Sequence, residues 1–577
     1  MHIDSVAKIP PRFVGVLDFR SLEKISIYKA FEFPWLLAIC KEVSAITKTD
    51  CLLIGNNQMS FHEYIKNIEK MGEQAGAFRD VNLHYIKSQG RNISMRDVYN
   101  KKHLLEETPI KTDDILSATI AYLGTFLHKH GHSFAYVNSF QEGKKEIADL
   151  LINSKVISIA ITTTYYVSVL PILEIMDFIR SCNNKSKIIV GGPFVTTQMK
   201  IMDRISTKYL FQQIGADFYI NSSQGEAALS DIINAIKKRR DTTNIKNIIY
   251  KSENSYIENE IEPEDNILEE NPVDWDLFRD SKRSMISVRT AISCPYACAF
   301  CSFPEHAGKF SYITPMRLCN ELNQIHLLPH ITSVNFLDDT FNVPVNRFKE
   351  ILKLMAKKNF RFRWNGHFRC QYADRETVEL MKESGCEGVF LGIESGSQEI
   401  LNNMNKKSTI DNYYRGLDLL KEYQIITYAS FIIGFPGETD TTVQQTIGFL
   451  ESAQPDFYRA QLWYYDTTTP VSLSTKHFGL KNSQFEWEHH TMNSMEAADW
   501  VDYIFLNVRN SVWLPQNDFD YPGLFNLLNR GWAVDDIKYM IQEFNNLIAE
   551  KIKRQNQNLN SLENLVNKSG IDGSFSF

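Results

Sequence analysis

The 577-residue chain has no apolar run close to the ~20 residues a membrane helix requires. Its longest runs, such as YASFIIGF at 428–435, fall far short. There is no basic excess either: the formal net charge is −7, which gives no electrostatic footprint for nucleic acid. The one basic run, Lys-Lys-Arg-Arg at 237–240, reads as the solvated C-terminus of a helix. The N-terminus, MHIDSVAKIPPRF, lacks the uninterrupted apolar stretch of a secretory signal. Neither an internal repeat nor a low-complexity tract is present. The expectation is therefore a cytoplasmic protein without membrane or nucleic-acid partners, whose thiols stay reduced. Nine cysteines in that setting point to a cofactor site rather than a disulfide framework. With 43% hydrophobic and 23% charged residues, the length suggests about three globular domains.

Cys294, Cys298 and Cys301 stand in SCPYACAFCSF, offering three thiolates on one short loop. Clusters of the [4Fe–4S] type are normally held by four Cys, so three would leave one iron open to a small chelating molecule. A structural zinc site would want four ligands; His306 or Cys319 could supply the fourth, and spacing alone leaves zinc open. Two features of the context favour the cluster. The triad follows an expected strand, SMISVRTAIS at 284–293, and an aromatic residue, Phe300, precedes the third Cys. In these features the segment resembles the radical S-adenosylmethionine (SAM) enzymes. The resemblance implies that SAM chelates the open iron through its amino and carboxylate groups. It also implies an external electron donor of flavodoxin or ferredoxin type and reductive cleavage to a 5′-deoxyadenosyl radical.

Upstream, residues 110–245 alternate helices with short β-branched runs. ILSATIAYLGTFLHKHGH (115–132) reads as a helix, and SFAYVNSF (133–140), VISIAITTT (156–164) and KIIVGGP (187–193) as strands. ADFYINSSQGEAALSDIINAI (216–236) reads as strand, turn and helix. Such alternation argues for a doubly wound α/β domain with its ligand at the carboxyl ends of the strands. Thr162, Thr163, Thr164 and Tyr165, then Gly191 and Gly192, then Gly225 and Glu226, fall at those ends. Glycines there let the backbone approach a large flat ligand, although many such domains carry a Gly-Gly turn for its geometry alone. Placed before a radical SAM segment, this region resembles the cobalamin-binding domain of the B12-dependent radical SAM class. The likeness rests on the helix ending in HGH, the VGGP strand end and the GE turn. The D-x-H-x-x-G loop of many cobalamin proteins is missing, which leaves the lower face of cobalt open, water-filled or approached by a residue such as Tyr165.

From 284 to 470, successive strand–helix units suit a partial (β/α)6 barrel with chemistry at the C-terminal strand ends. SVNFLDD (333–339), EGVFLGIES (387–395) and ITYASFIIGFP (426–436) are the expected strands. By resemblance, Asp338, Asp339, Arg369, Glu394, Ser395, Gly434 and Glu438 fall where the family contacts SAM. The implied organisation has an N-terminal region at 1–109, part of it joining the Rossmann-like cobalamin domain at 110–245. A linker at 246–283, the barrel at 284–470 and a mainly helical substrate-capping region at 471–577 complete it. The ITTTYY and LWYYD/EWEHHTM patterns are similar to the subgroup named for the P-methyltransferase of phosphinothricin-type biosynthesis. His489 and His490 are adjacent and point apart, so they are expected to be satisfied or exposed.

The implied activity is methyl transfer from SAM via methylcobalamin to an unactivated carbon or a phosphinate phosphorus. The substrate would be a small molecule or peptide of the natural-product kind. A B12-dependent radical rearrangement, cyclisation or oxidation is the alternative, and a non-catalytic cofactor-binding protein is a third reading.

Overall fold

The computed structural model describes residues 48–569, apart from 59–60, 103–108, 112–113, 167, 183–184, 254 and 517–518, with side chains described as far as 555. The expectations that concern the first 47 residues lie outside this range. Two sheets organise the chain. The first has seven strands in the order Ser255–Glu258, Ile248–Ser252, Phe218–Ile220, Lys187–Gly191, Lys155–Thr162, Lys48–Asn56 and Phe134–Ser139. The last five pair in parallel. Numbered along the chain they run 2-1-3-4-5, a doubly wound order that places a ligand crevice outside the carboxyl strand ends. The central strands are apolar on both faces because helices cover both: Leu52, Leu53, Ile54, Ile159, Ile161 and Val190 are buried.

The second sheet has eight strands, all paired in parallel. Six form the barrel wall: Met285–Val288, Ser333–Phe336, Arg363–His367, Cys386–Glu394, Ile426–Ile433 and Phe457–Leu462. Short strands from distant parts of the chain extend its two edges, Ile115–Leu116 and Val512–Trp513. This is the expected partial (β/α)6 barrel.

Two boundaries differ from those expected. Residues 246–283 are not a plain linker, because Ile248–Ser252 and Ser255–Glu258 form a hairpin that adds two antiparallel strands to the first sheet. Ile115 and Leu116, expected at the start of a helix, pair with Met285 and Ile286 instead, and the helix begins at Ala118. The C-terminal region is mainly helical, with Ser494–Asn507, Tyr521–Asn529 and Val534–Ser569.

One apolar core joins the two sheets, running from Cys51, Ala160 and Ile232 through Ile120 to Met285 and Phe336. The helix Ala118–Lys129 packs on the strand Lys48–Asn56 and also on Met285–Val288. The carboxyl ends of the first sheet and the barrel mouth are thereby held together. Among the described residues, no helix is long and apolar enough to cross a membrane.

Candidate active site

The cysteine loop leaves the barrel after Ala291–Ile292, at Ser293, whose φ is 67°. It is fastened at several points. Ala299 N–H donates to the Met404 carbonyl (2.8 Å), Val471 N–H to the Ala299 carbonyl (2.9 Å), and Asn405 Nδ2 to the Ala297 carbonyl (2.6 Å). Cys298 is buried, Cys294 and Cys301 are half-buried, and all three are free thiols. Burial pushes the Cys294 thiol up and the Cys301 thiol up to about 11, and the neighbouring cysteines and Asp339 add to the shift. Such thiols stay protonated until a cation takes the proton's place, as metal binding requires. Of the other donors considered from the sequence, His306 is engaged by Lys200 (3.3 Å) and Cys319 is packed on the buried side of the helix Pro315–His326. Among the described residues, no three His, Cys, Asp or Glu side chains gather around a single metal ion. Three partly enclosed thiols on one pinned loop fit a cluster whose irons each take a different cysteine.

Asp338 and Asp339 sit together at the end of Ser333–Phe336 but do different work. Asp338 is buried, and its carboxylate accepts from Thr290 N–H (2.7 Å), Ala291 N–H (2.9 Å) and the Thr290 hydroxyl. The same hydroxyl accepts from Arg347 Nη2 (2.8 Å). Asp338 therefore shapes the root of the cysteine loop. Asp339 keeps accessible surface at the strand end, yet desolvation by the surrounding protein, together with the Asp338 charge, pushes its carboxyl up to about 6.

Arg369 is buried over the Tyr296 ring, 3.6 Å from its centroid, and donates to the Lys406 carbonyl. Tyr296, inside the cysteine motif, in turn meets Tyr372 hydroxyl to hydroxyl at 2.6 Å. Glu394 has a left-handed backbone (φ 69°) and pairs with Lys406 at 2.7 Å. Lys406 also lies over the Phe300 ring, and Phe300 meets Phe435 edge-on. Ser395 is fully buried and bonds to Thr446 (3.3 Å), tying the strand end to the next helix. Gly434 (φ 93°) donates to the Glu438 carboxylate and leaves no room for a Cβ, which would stand 2.4 Å from Trp487. Glu438 is fully buried, and that burial pushes its carboxyl up to about 8.

On the facing domain, Thr162 donates to the Ile54 carbonyl and Thr163 to the Gly191 carbonyl, so both hold the strand ends in place. Thr164 and Tyr165 are exposed at the crevice, Tyr165 by 66%. Gly192 (φ 112°) and Gly225 (φ 97°) start the helices Pro193–Ile201 and Glu226–Lys238. A Cβ on Gly192 would meet Thr163 Oγ1 at 2.9 Å, and one on Gly225 would meet Ile220 at 2.9 Å. Each glycine is therefore required by its turn and by the side chain packed against it, and the two turns stand at the carboxyl ends of the strands. Glu226 is buried and accepts from Asn266 (3.0 Å), which commits it to the scaffold. The helix Phe303–Ala307, directly after the cysteines, touches Pro193–Ile201, where Lys200 donates to the Glu305 carbonyl (3.3 Å). The two halves of the site thus face one another.

Several site residues were missed from sequence. Lys406 and Tyr296 carry no recognisable pattern, and Arg347 and Thr290 act through Asp338. The aromatic segments at 461–470 and 485–494 are mostly core: Trp463, Tyr465 and Trp487 are buried, and Tyr464 remains exposed. His489 bonds the Gly434 carbonyl (3.2 Å) and His490 is exposed, as anticipated.

Fold and site together define a partial (β/α)6 barrel with a three-cysteine loop and a doubly wound α/β sheet packed beside it. Residues 289–450 match the radical SAM superfamily. An uncharacterised methyltransferase of Pyrococcus horikoshii is 26% identical over 376 residues, 62% of this chain and 79% of that one. An anaerobic magnesium-protoporphyrin IX monomethyl ester cyclase of Rubrivivax gelatinosus is 22% identical, across 50% and 55% of the two chains. The structure of the radical SAM methyltransferase TsrM from Kitasatospora setae, with cobalamin and a [4Fe–4S] cluster bound, superposes with a TM-score of 0.54. That match has 17% identity over 74% of this chain and 78% of TsrM. Residues 289–450 thus carry a radical SAM domain, and the fold of the chain is similar to that of TsrM.

Proposed function

We propose that the chain is a cobalamin-dependent radical SAM methyltransferase acting on a small organic or peptide substrate. The observation that carries the proposal is that the helix following a pinned three-cysteine loop packs on the helix that Gly192 starts at the carboxyl end of the first sheet. When bound, a [4Fe–4S] cluster supplies the electron that cleaves SAM, and cobalamin supplies the methyl group.

The chain's own residues hold and shield these groups. Cys294, Cys298 and Cys301 would ligate the cluster. Asp339, the uncommitted carboxylate at the barrel mouth, is suited to the SAM amino group, while Asp338 sets the loop that carries the thiolates. Arg369 and Tyr296 cover the loop and limit access of water to it. Glu394 with Lys406, Ser395, and Gly434 with Glu438 shape the wall against which the nucleoside would lie. Thr164, Tyr165, Gly191, Gly192 and Gly225 would line the cobalamin crevice, with Thr162 and Glu226 bracing it from behind. The electron would come from an external flavodoxin- or ferredoxin-type donor.

The likeness to a cyclase keeps one second reading in view, a radical cyclisation using the same cofactors. Product mass separates the two. Methylation adds one CH2 unit derived from isotopically labelled SAM and yields S-adenosylhomocysteine beside 5′-deoxyadenosine, whereas cyclisation transfers no label.

A further inference from the structure

Four rings close one side of the chamber inside the barrel. The His367 imidazole stacks on Phe390 with centroids 4.6 Å apart and planes 16° apart. Phe390 meets Tyr428 edge-on at 4.9 Å and Tyr521 at 5.7 Å, and the two tyrosines lie 5.9 Å apart. The Tyr521 hydroxyl approaches the carbonyl of Gly366, next to His367, at 3.5 Å. Three of these rings come from adjacent parallel strands and the fourth from the C-terminal region, so the pocket exists only in the folded chain. Tyr428 and Tyr521 are buried, whereas His367 and Phe390 keep accessible surface within the barrel and therefore face its hollow.

Asp520, beside Tyr521, is exposed to the same hollow, and its charge reaches both Tyr428 and Tyr165. The surroundings raise its carboxyl all the same, because Gly523 N–H (3.4 Å) and the charge of Arg96 offset only part of the cost of desolvation. A cation brought in by a ligand would remove that cost. The His367 ring has no hydrogen-bond partner among the described residues, and its surroundings push it down to about 4, which keeps it neutral. The cations nearby are spoken for: Arg289 lies over the Tyr122 ring at 4.4 Å, and Arg459 meets His84 and faces Asp80. With Asp339 also exposed, this end of the barrel offers aromatic surface and two carboxylates, and among the described residues the charge of Arg96 already acts on Asp520.

Building on the methyltransferase reading, we propose that this pocket is the substrate subsite and takes a flat ring bearing an amino group. The ring lies against His367 and Phe390, and the ammonium is held by Asp520. Neither probe need be the natural substrate for the preference to be read.

The test titrates the full chain, loaded anaerobically with iron and cobalt, with tryptamine and with indole-3-propionate, which share a ring and differ in charge. Calorimetry should find tryptamine binding at least ~10-fold tighter, the factor that ~1.4 kcal/mol represents. Asp520→Asn should weaken tryptamine by a similar factor and leave indole-3-propionate no weaker. Asn keeps the helix cap, so melting temperature and metal content should be unchanged. His367→Leu should weaken tryptamine as well. Equal affinity for the two probes, binding of neither, or a preference that survives Asp520→Asn would overturn the proposal. Failure to load cobalt, read on the same samples, counts against the methyltransferase reading, and the binding ratio decides this one.

Discussion

Replacing Asp338 by Asn tests whether that carboxylate serves the cysteine loop or the SAM molecule. In the native arrangement one oxygen accepts two backbone N–H groups and the other accepts the Thr290 hydroxyl. An Asn side chain keeps the first oxygen but turns an NH2 toward the hydroxyl, which already accepts from Arg347. The hydroxyl proton is then left without an acceptor, and Arg347, itself buried, loses the carboxylate charge that faces it. A buried unsatisfied group costs about 1–3 kcal/mol and a lost charged hydrogen bond about 1.5–3 kcal/mol. Together they give about 3–5 kcal/mol, the usual range for opening a buried ionic contact. The damage is concentrated at residues 290–301, because the first sheet draws nothing from Asp338. Urea denaturation should show a lower midpoint for Asp338→Asn, and anaerobic reconstitution should give less iron with cobalt retained. A variant with the wild-type midpoint and full iron, but weakened SAM binding, would refute this reasoning and return Asp338 to the SAM site.

Three further outcomes follow from the same geometry. Gly192→Ala combines a φ of 112° with a 2.9 Å contact to Thr163 Oγ1, so it should cost about 1–3 kcal/mol and lower cobalt uptake while sparing iron, as melting and metal analysis would show. Lys406→Met leaves the Glu394 carboxylate buried and unpaired, which should cost about 3–5 kcal/mol and weaken SAM binding measured by equilibrium dialysis. Glu438 is fully buried with its carboxyl raised from 4.5 to about 8, so the folded state holds a proton that the unfolded state releases. Stability of the cofactor-free protein should therefore fall as pH rises from about 5 to about 8, by up to ~1.4 kcal/mol per pH unit. Glu438→Gln should flatten that slope, and an unchanged slope would remove Glu438 as its source.

Four of the barrel strands were legible as largely apolar runs between helices of ordinary period, and Ile426–Ile433 and Cys386–Glu394 fall within a few residues of expectation, whereas Arg363–His367 (RWNGH) and Phe457–Leu462 (FYRAQL) carry no such run. The cysteine triad was legible because its ligands lie within eight residues on one loop. The hairpin at 248–258 was not, since one of its faces is polar and nothing local marks its pairing with Phe218–Ile220. Ile115 and Leu116 read as helix because the apolar spacing of the following turns runs on through them, and only the partner strand at Met285 reveals the sheet edge. The contacts between distant segments were least visible of all. His84 meets Arg459 across 375 positions, Arg79 pairs with Asp499 and Asp502 across more than 400, and Tyr521 meets the Phe390 and Tyr428 rings of two barrel strands. Such sites are assembled by topology, and their members carry no mutual spacing in the chain.

The central claim is that one chain holds a cluster and a cobalamin across a shared chamber, and metal analysis tests it most directly. The chain would be reconstituted anaerobically with iron, sulfide and hydroxocobalamin, desalted, and analysed for iron, cobalt and zinc beside its visible spectrum. The account predicts about four iron per chain for a cluster of this type with an equimolar amount of cobalt, and a Cys294→Ala/Cys298→Ala/Cys301→Ala variant that loses the iron and keeps the cobalt. Iron without cobalt, or zinc retained in place of iron, would contradict it.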